Sequence, residues 1–128
     1  MAVKLLLVDD EEDLITLLRF VLEQMGYQVS SAPHGKAALA FLDKAAQEAP
    51  DTLPDVIISD VMMPEMDGFS MVNALAERDH AKHIPVIIMT AKGKTRDLFQ
   101  TSAEVAAFIE KPFEPKKLKE LVDNLLKK

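Results

Sequence analysis

The chain contains no cysteine, so disulfides and thiolate metal sites are unavailable to it, as is common for proteins of the cytosol. No apolar run approaches the roughly 20 residues needed to cross a bilayer, so no membrane association is expected. Met1-Ala2-Val3-Lys4 leads straight into an apolar run, and no secretory signal is expected there. Basic charge is also short: 15 Lys and Arg stand against 21 Asp and Glu, a net charge of −6. No helix-like segment gathers the Lys and Arg that a phosphate backbone requires, which argues against nucleic acid as a direct partner. What is present is ordinary for a globular domain, with 48% hydrophobic and 28% charged residues in a chain of 128. That length suits one domain burying about two-thirds of its unfolded surface.

Strand-like and helix-like patterns alternate along the chain. Leu5-Leu6-Leu7-Val8, Val56-Ile57-Ile58-Ser59 and Val86-Ile87-Ile88-Met89 are short apolar runs bounded by polar or turn residues, as buried strands are. Between them Leu14, Leu17, Leu18, Val21, Leu22 and Met25 follow helical spacing, predicting a helix from Glu12 to Met25 capped by Gly26. Tyr27 to Ala32 alternates like a half-buried edge strand, and Pro33-His34-Gly35 ends it. A second helix carries Ala37 to Ala45, and Gln47 to Pro54 reads as the longest loop and a site of disorder. A third helix begins near Gly68 with Phe69, Val72 and Leu75 as its buried stripe, and a fourth is expected over Lys94 to Gln100. Pro115 suits the first turn of a last helix through Leu118, Leu121, Val122 and Leu125. Such alternation predicts an α/β fold: a doubly wound parallel sheet with helices on both faces and its functional edge at the strand C-termini.

Polar residues that carry chemistry close these runs. Asp9 and Asp10 follow the first, Asp60 closes the third and opens Met62-Met63-Pro64-Glu65-Met66-Asp67-Gly68, Thr90 follows the fourth, and Lys111 follows Phe108-Ile109-Glu110. On neighbouring parallel strands they would meet at one sheet edge. Singly, each has a plainer explanation. Acids at a strand end cap the next helix, Lys111 alone reads as a surface lysine, and Thr90 alone is a β-branched strand residue. The methionines read as packing residues, and His34, His80 and His83 lack partners at convincing spacing.

Taken in order, the Asp9-Asp10 pair, Asp60 with its loop, Thr90-Ala91, and Phe108 ahead of Lys111-Pro112-Phe113 resemble the receiver domain of two-component response regulators, across the whole chain. The resemblance implies a flavodoxin-like sheet of five strands in the order 2-1-3-4-5. It further implies a single receiver domain over 1–128, with no output domain seen, in a cytoplasmic signalling phosphoprotein. Glu104-Val105-Ala106-Ala107 stands where receivers commonly carry Gly-Ala-Asp-Asp, and the segment is about one residue short.

Three carboxylates held together repel one another and must share protons or take up a hard cation, and oxygen-only ligands suit Mg²⁺ or Mn²⁺. Asp10 and Asp60 are the expected direct ligands. The resemblance adds the backbone carbonyl of Met62, with Asp9 acting through water. Asp60 would then be the nucleophile that accepts a phosphoryl group, with Lys111 and the Thr90 hydroxyl stabilising phosphoryl oxygens, Ala91 leaving room for approach, and Thr90 and Phe108 forming the switch. The expected partners are a sensor histidine kinase or histidine phosphotransfer protein, and a downstream target or fused output domain. The expected role is that of a phosphoacceptor, not an enzyme with a separate substrate. Two alternatives compete. One is a receiver-like interaction module that is never phosphorylated; the other is an Asp-nucleophile phosphatase, which wants an acid where this chain has Met62. An FMN site is disfavoured because the first loop is acidic where a phosphate cradle offers Gly, Ser or Thr.

Overall fold

The computed structural model describes residues 2–63, 65–91, 105–111 and 113–127. The apolar runs become strands β1 (Lys4–Val8), β2 (Gln28–Ala32), β3 (Val56–Asp60), β4 (Val86–Ala91) and β5 (Ala107–Lys111). They pair in parallel throughout, in the order β2-β1-β3-β4-β5. The helices among the described residues are α1 (Glu12–Gln24), α2 (Gly35–Glu48), α3 (Gly68–Ala76) and α4 (Pro115–Leu126). The helix expected over 94–100 and the segment 101–104 lie outside the described residues.

Strand alternation divides the core into two halves. Leu6, Val8, Ile57 and Ile88 meet Leu42, Met71 and Leu75, so α2 and α3 cover one face. Leu5, Leu7, Ile58 and Met89 meet Leu18, Leu22, Leu118 and Val122, so α1 and α4 cover the other. This is the doubly wound arrangement, and its order leaves β2 and β5 at the edges. Tyr27, placed just before β2, is buried, and its hydroxyl donates to Asp123 Oδ1 at 2.8 Å, tying α1's exit to α4.

Three expectations are corrected. Gln47 to Pro54 is ordered: α2 runs on to Glu48, a 3₁₀ turn covers Pro50–Thr52, and Pro54 is buried. There the Thr52 hydroxyl donates to Ala49 O at 2.7 Å, and Asp55 N–H bonds Lys4 O at 2.7 Å. The α3 stripe is Gly68, Met71, Val72 and Leu75, whereas Phe69 is half-buried with its ring centroid 6.5 Å from that of Phe108. Two histidines have partners far away in sequence. His80 Nε2 lies 2.9 Å from Asp43 Oδ1, which also accepts from Arg78 Nε, and these bonds hold the Asp43 carboxyl below its ordinary range. His34 Nε2 lies 2.9 Å from Glu65 Oε2.

Gly68 fixes how closely α3 approaches the end of β3. Its N–H donates to Val61 O at 2.8 Å, and a Cβ there would lie 2.5 Å from Asp60 O and 3.2 Å from Ile88 Cδ1. Neither β3 backbone nor buried Ile88 yields readily. Gly68→Ala is therefore expected to destabilise the fold by about 1–3 kcal/mol in urea unfolding. A loss below about 0.5 kcal/mol, the range of neutral surface changes, would show that α3 does not press on Asp60.

Candidate phosphoacceptor site

The two-residue period of the strands selects which end residues meet. Leu5 and Leu7 lead to Asp9, Ile58 to Asp60, Met89 to Ala91 and Ile109 to Lys111, all on the sheet face covered by α1 and α4. Ala91 pairs with Lys111 in register, leaving only a methyl group beside the lysine.

Asp9 is fully buried. Its Oδ1 accepts from Glu11 N–H at 2.9 Å, while Oδ2 lies 3.3 Å from Lys111 Nζ. In Asp60, Oδ1 accepts from Val61 N–H at 2.9 Å, and Oδ2 is 3.5 Å from the same ammonium. Glu11 Oε1 completes the set at 3.8 Å from Lys111 Nζ. One cation thus serves three acids. Burial raises the Asp60 pKa, the Lys111 charge opposes the rise, and the neighbouring Asp9 charge adds to it, leaving the carboxyl above its ordinary value.

Among the described residues, Asp9, Glu11 and Asp60 offer carboxylate oxygens within 4.8 Å of one another. Oxygen donors only, in excess of the local positive charge, suit a hard cation such as Mg²⁺ or Mn²⁺. Asp10 is exposed and stands outside that trio, lining the groove between α1 and the turn after β2. Met62 is exposed on the loop after Asp60. Thr90 is buried, and the alternation turns it to the opposite face from Lys111, the face against which Phe108 also packs. Its hydroxyl reaches Ala91 O only at 3.4 Å.

This geometry has relatives. Residues 5–123 match the response regulator receiver domain family. The chain belongs to that family. Response regulator Rre1 of Synechocystis is 36% identical over 97% of this chain and 52% of its own length. The signal receiver domain of a histidine kinase from Syntrophus aciditrophicus superposes with a TM-score of 0.84 at 35% identity, over 98% of this chain and 90% of that one. The chemotaxis response regulator CheY4 of Vibrio cholerae superposes at 0.82 and 31% identity, over 98% of this chain and 100% of its own. The chain spans about half the length of the curated relative Rre1.

In this receiver Asp9, Asp60 and Lys111, grouped from the sequence, lie together, and Glu11, which that reading did not include, lies beside them. Glu11 was legible only as the third member of an acidic run; the turn closed on Asp9 Oδ1 brings it back over the site. Its 65% exposed side chain makes it the most adaptable of the three acids.

The raised Asp60 pKa carries a sign for stability. Protonation favours the fold fully below the unfolded value, and that contribution is lost as pH rises through the folded pKa. Asp60→Asn is therefore expected to raise the melting temperature of cation-free protein at pH 7 and to flatten its pH dependence above pH 4. A variant less stable than the parent at pH 7 would contradict the electrostatic reading.

Proposed function

We propose that this receiver accepts a phosphoryl group on Asp60 from a phosphohistidine, with divalent-cation assistance, and thereby switches a protein-binding surface. The observation that carries this reading is the half-occupied state of Asp60. Oδ1 is fixed by the Val61 N–H, while Oδ2 faces Lys111 and has no backbone donor among the described residues.

In the transfer, Oδ2 forms a bond to phosphorus as the P–N bond of the donor breaks, its electron pair remaining on the imidazole nitrogen. Lys111 would exchange its contacts to Asp9 and Asp60 for a phosphoryl oxygen. Val61 N–H keeps the acceptor carboxylate from rotating. Asp9, Asp60 and either Glu11 or Asp10 would hold Mg²⁺, with the Met62 carbonyl as a further ligand. The bound ion would supply positive charge against the phosphoryl oxygens and relieve repulsion among the acids. Hydrolysis breaks the same Oδ2–P bond and returns the carboxylate and inorganic phosphate. The protein is in this sense a phosphoacceptor that assists its own modification, not an enzyme with a separate substrate.

The phosphoryl group would bring nearly two negative charges to the strand edge. Thr90 holds its present acceptor at a distance near the limit of a hydrogen bond, so its hydroxyl can turn to a phosphoryl oxygen at small cost. That movement would free space on the face where Phe108 packs, coupling the site to β5 and its neighbours. The relatives place receivers in a histidine kinase and in a chemotaxis regulator, which supports a kinase or phosphotransfer protein as donor and a protein target as reader. Among the described residues no helix is long and apolar enough to cross a membrane; a cytoplasmic location is part of this proposal.

Incubation with Mg²⁺ and acetyl phosphate is expected to add one phosphoryl group by intact mass, with none on Asp60→Asn. Lys111→Ala is expected to slow incorporation about a hundredfold, the scale for losing one preorganised electrostatic contact. Absence of incorporation in folded, cation-bound parent protein would favour an interaction module that keeps the receiver architecture alone.

A further inference from the structure

The loop between β3 and α3 is held at both ends within itself. Asp60 Oδ1 accepts from Val61 N–H, Gly68 N–H donates to Val61 O, and Asp67 Oδ1 accepts from Ser70 N–H at 2.7 Å. Glu65 and Met66 are held by a different part of the chain. His34 Nε2 meets Glu65 Oε2 at 2.9 Å, and Gly35 packs so closely on Met66 that an added Cβ would lie 2.9 Å from Met66 Cγ. Glu65 has φ +66, a left-handed conformation that a non-glycine residue adopts only where its surroundings hold it.

His34 has two tasks at once. Its Nδ1 accepts from Ala37 N–H at 3.1 Å, capping α2. To accept, Nδ1 carries no proton, so the neutral ring has its proton on Nε2, directed at Glu65. The cap fixes the imidazole, and the fixed imidazole in turn fixes Glu65.

We propose that His34 is a positioning residue for the phosphoacceptor site: its hydrogen bond to Glu65 holds the chain ahead of α3, and this hold supports cation binding at Asp60. This rests on the cation-assisted reading above. The Glu65 side chain is 55% exposed, so the bond contributes little to global stability. Its effect lies in the order of the loop, as with the outer-sphere contacts that orient metal ligands.

Two substitutions separate the two tasks. In His34→Asn the side chain still caps α2 but is too short to reach Glu65. In Glu65→Gln the acceptor oxygen for Nε2–H remains. Amide exchange across 61–68 in cation-free protein and the Mg²⁺ dissociation constant by calorimetry would be measured for the parent and both variants. His34→Asn is expected to speed exchange in that loop and weaken Mg²⁺ binding about tenfold, with the melting temperature nearly unchanged. Glu65→Gln is expected to match the parent in both. Glu65→Gly supplies a control, because it removes left-handed strain together with the latch; it is expected to follow His34→Asn. Unchanged Mg²⁺ affinity in His34→Asn, with or without faster exchange, would overturn the proposal and reduce the contact to a structural one. Retained affinity in Glu65→Gly would do the same. A parent protein that binds no Mg²⁺ would instead overturn the cation-assisted reading, and the positioning role with it.

Discussion

Two carboxylates, Asp9 and Asp60, sit at the ends of adjacent parallel strands with one ammonium, Lys111, between them. Their separation is imposed by the sheet. β1 and β3 are neighbours, their register pairs Val8 with Ser59, and one further residue on each strand carries an acid on the same face. Side by side the acids repel, and burial removes the water that would screen them. Lys111 offsets part of this, but it arrives from β5, across β4, and lies at 3.3 and 3.5 Å, longer than a tight charge-assisted bond. The site is therefore held together while remaining short of positive charge, which is the condition in which it gains from a hard cation.

The fold stores this arrangement in features that have no chemistry of their own. A fully buried apolar sheet centre fixes the register, and the two halves of the core hold the helices on either side. Gly68 lets α3 begin against the Asp60 carbonyl, and Asp67 caps that helix, so the loop is confined at its exit. Tyr27 and Asp123 join the far end of α1 to α4 on the face that carries the acids. On the proposed reading, such rigidity would aim the Asp60 oxygen before a donor arrives.

Much of this was legible in the residues, for physical reasons that differ from part to part. Apolar runs closed by Asp60, Asp9 or Thr90 announce strands because burial on both faces demands unbroken hydrophobicity. Helical spacing located α1 to within a residue, with Gly26 at φ +99 after its end as a left-handed cap requires. Contacts between segments distant in sequence were not legible. His34 with Glu65, His80 with Asp43, and Glu11 folded back over Lys111 depend on loop paths that composition does not encode. The disorder expected over 47–54 failed because Pro50 begins a 3₁₀ turn and Pro54 is buried, although the same prolines suggest a loop when read singly. Thr90 was grouped with the acids by its strand-end position and by the resemblance, and strand alternation puts it on the face against which Phe108 packs, a placement that position at a strand end does not reveal.

The central claim is that the site carries a deficit of positive charge centred on Asp60. Its most direct test is the change in melting temperature on adding 10 mM MgCl₂ at pH 7, at constant ionic strength, for the parent and Asp60→Asn. A cation that binds only the folded state stabilises it by mass action, so the parent is expected to melt several degrees higher with Mg²⁺ and the variant to respond far less. Equal responses in the two proteins, or none in either, would contradict the account.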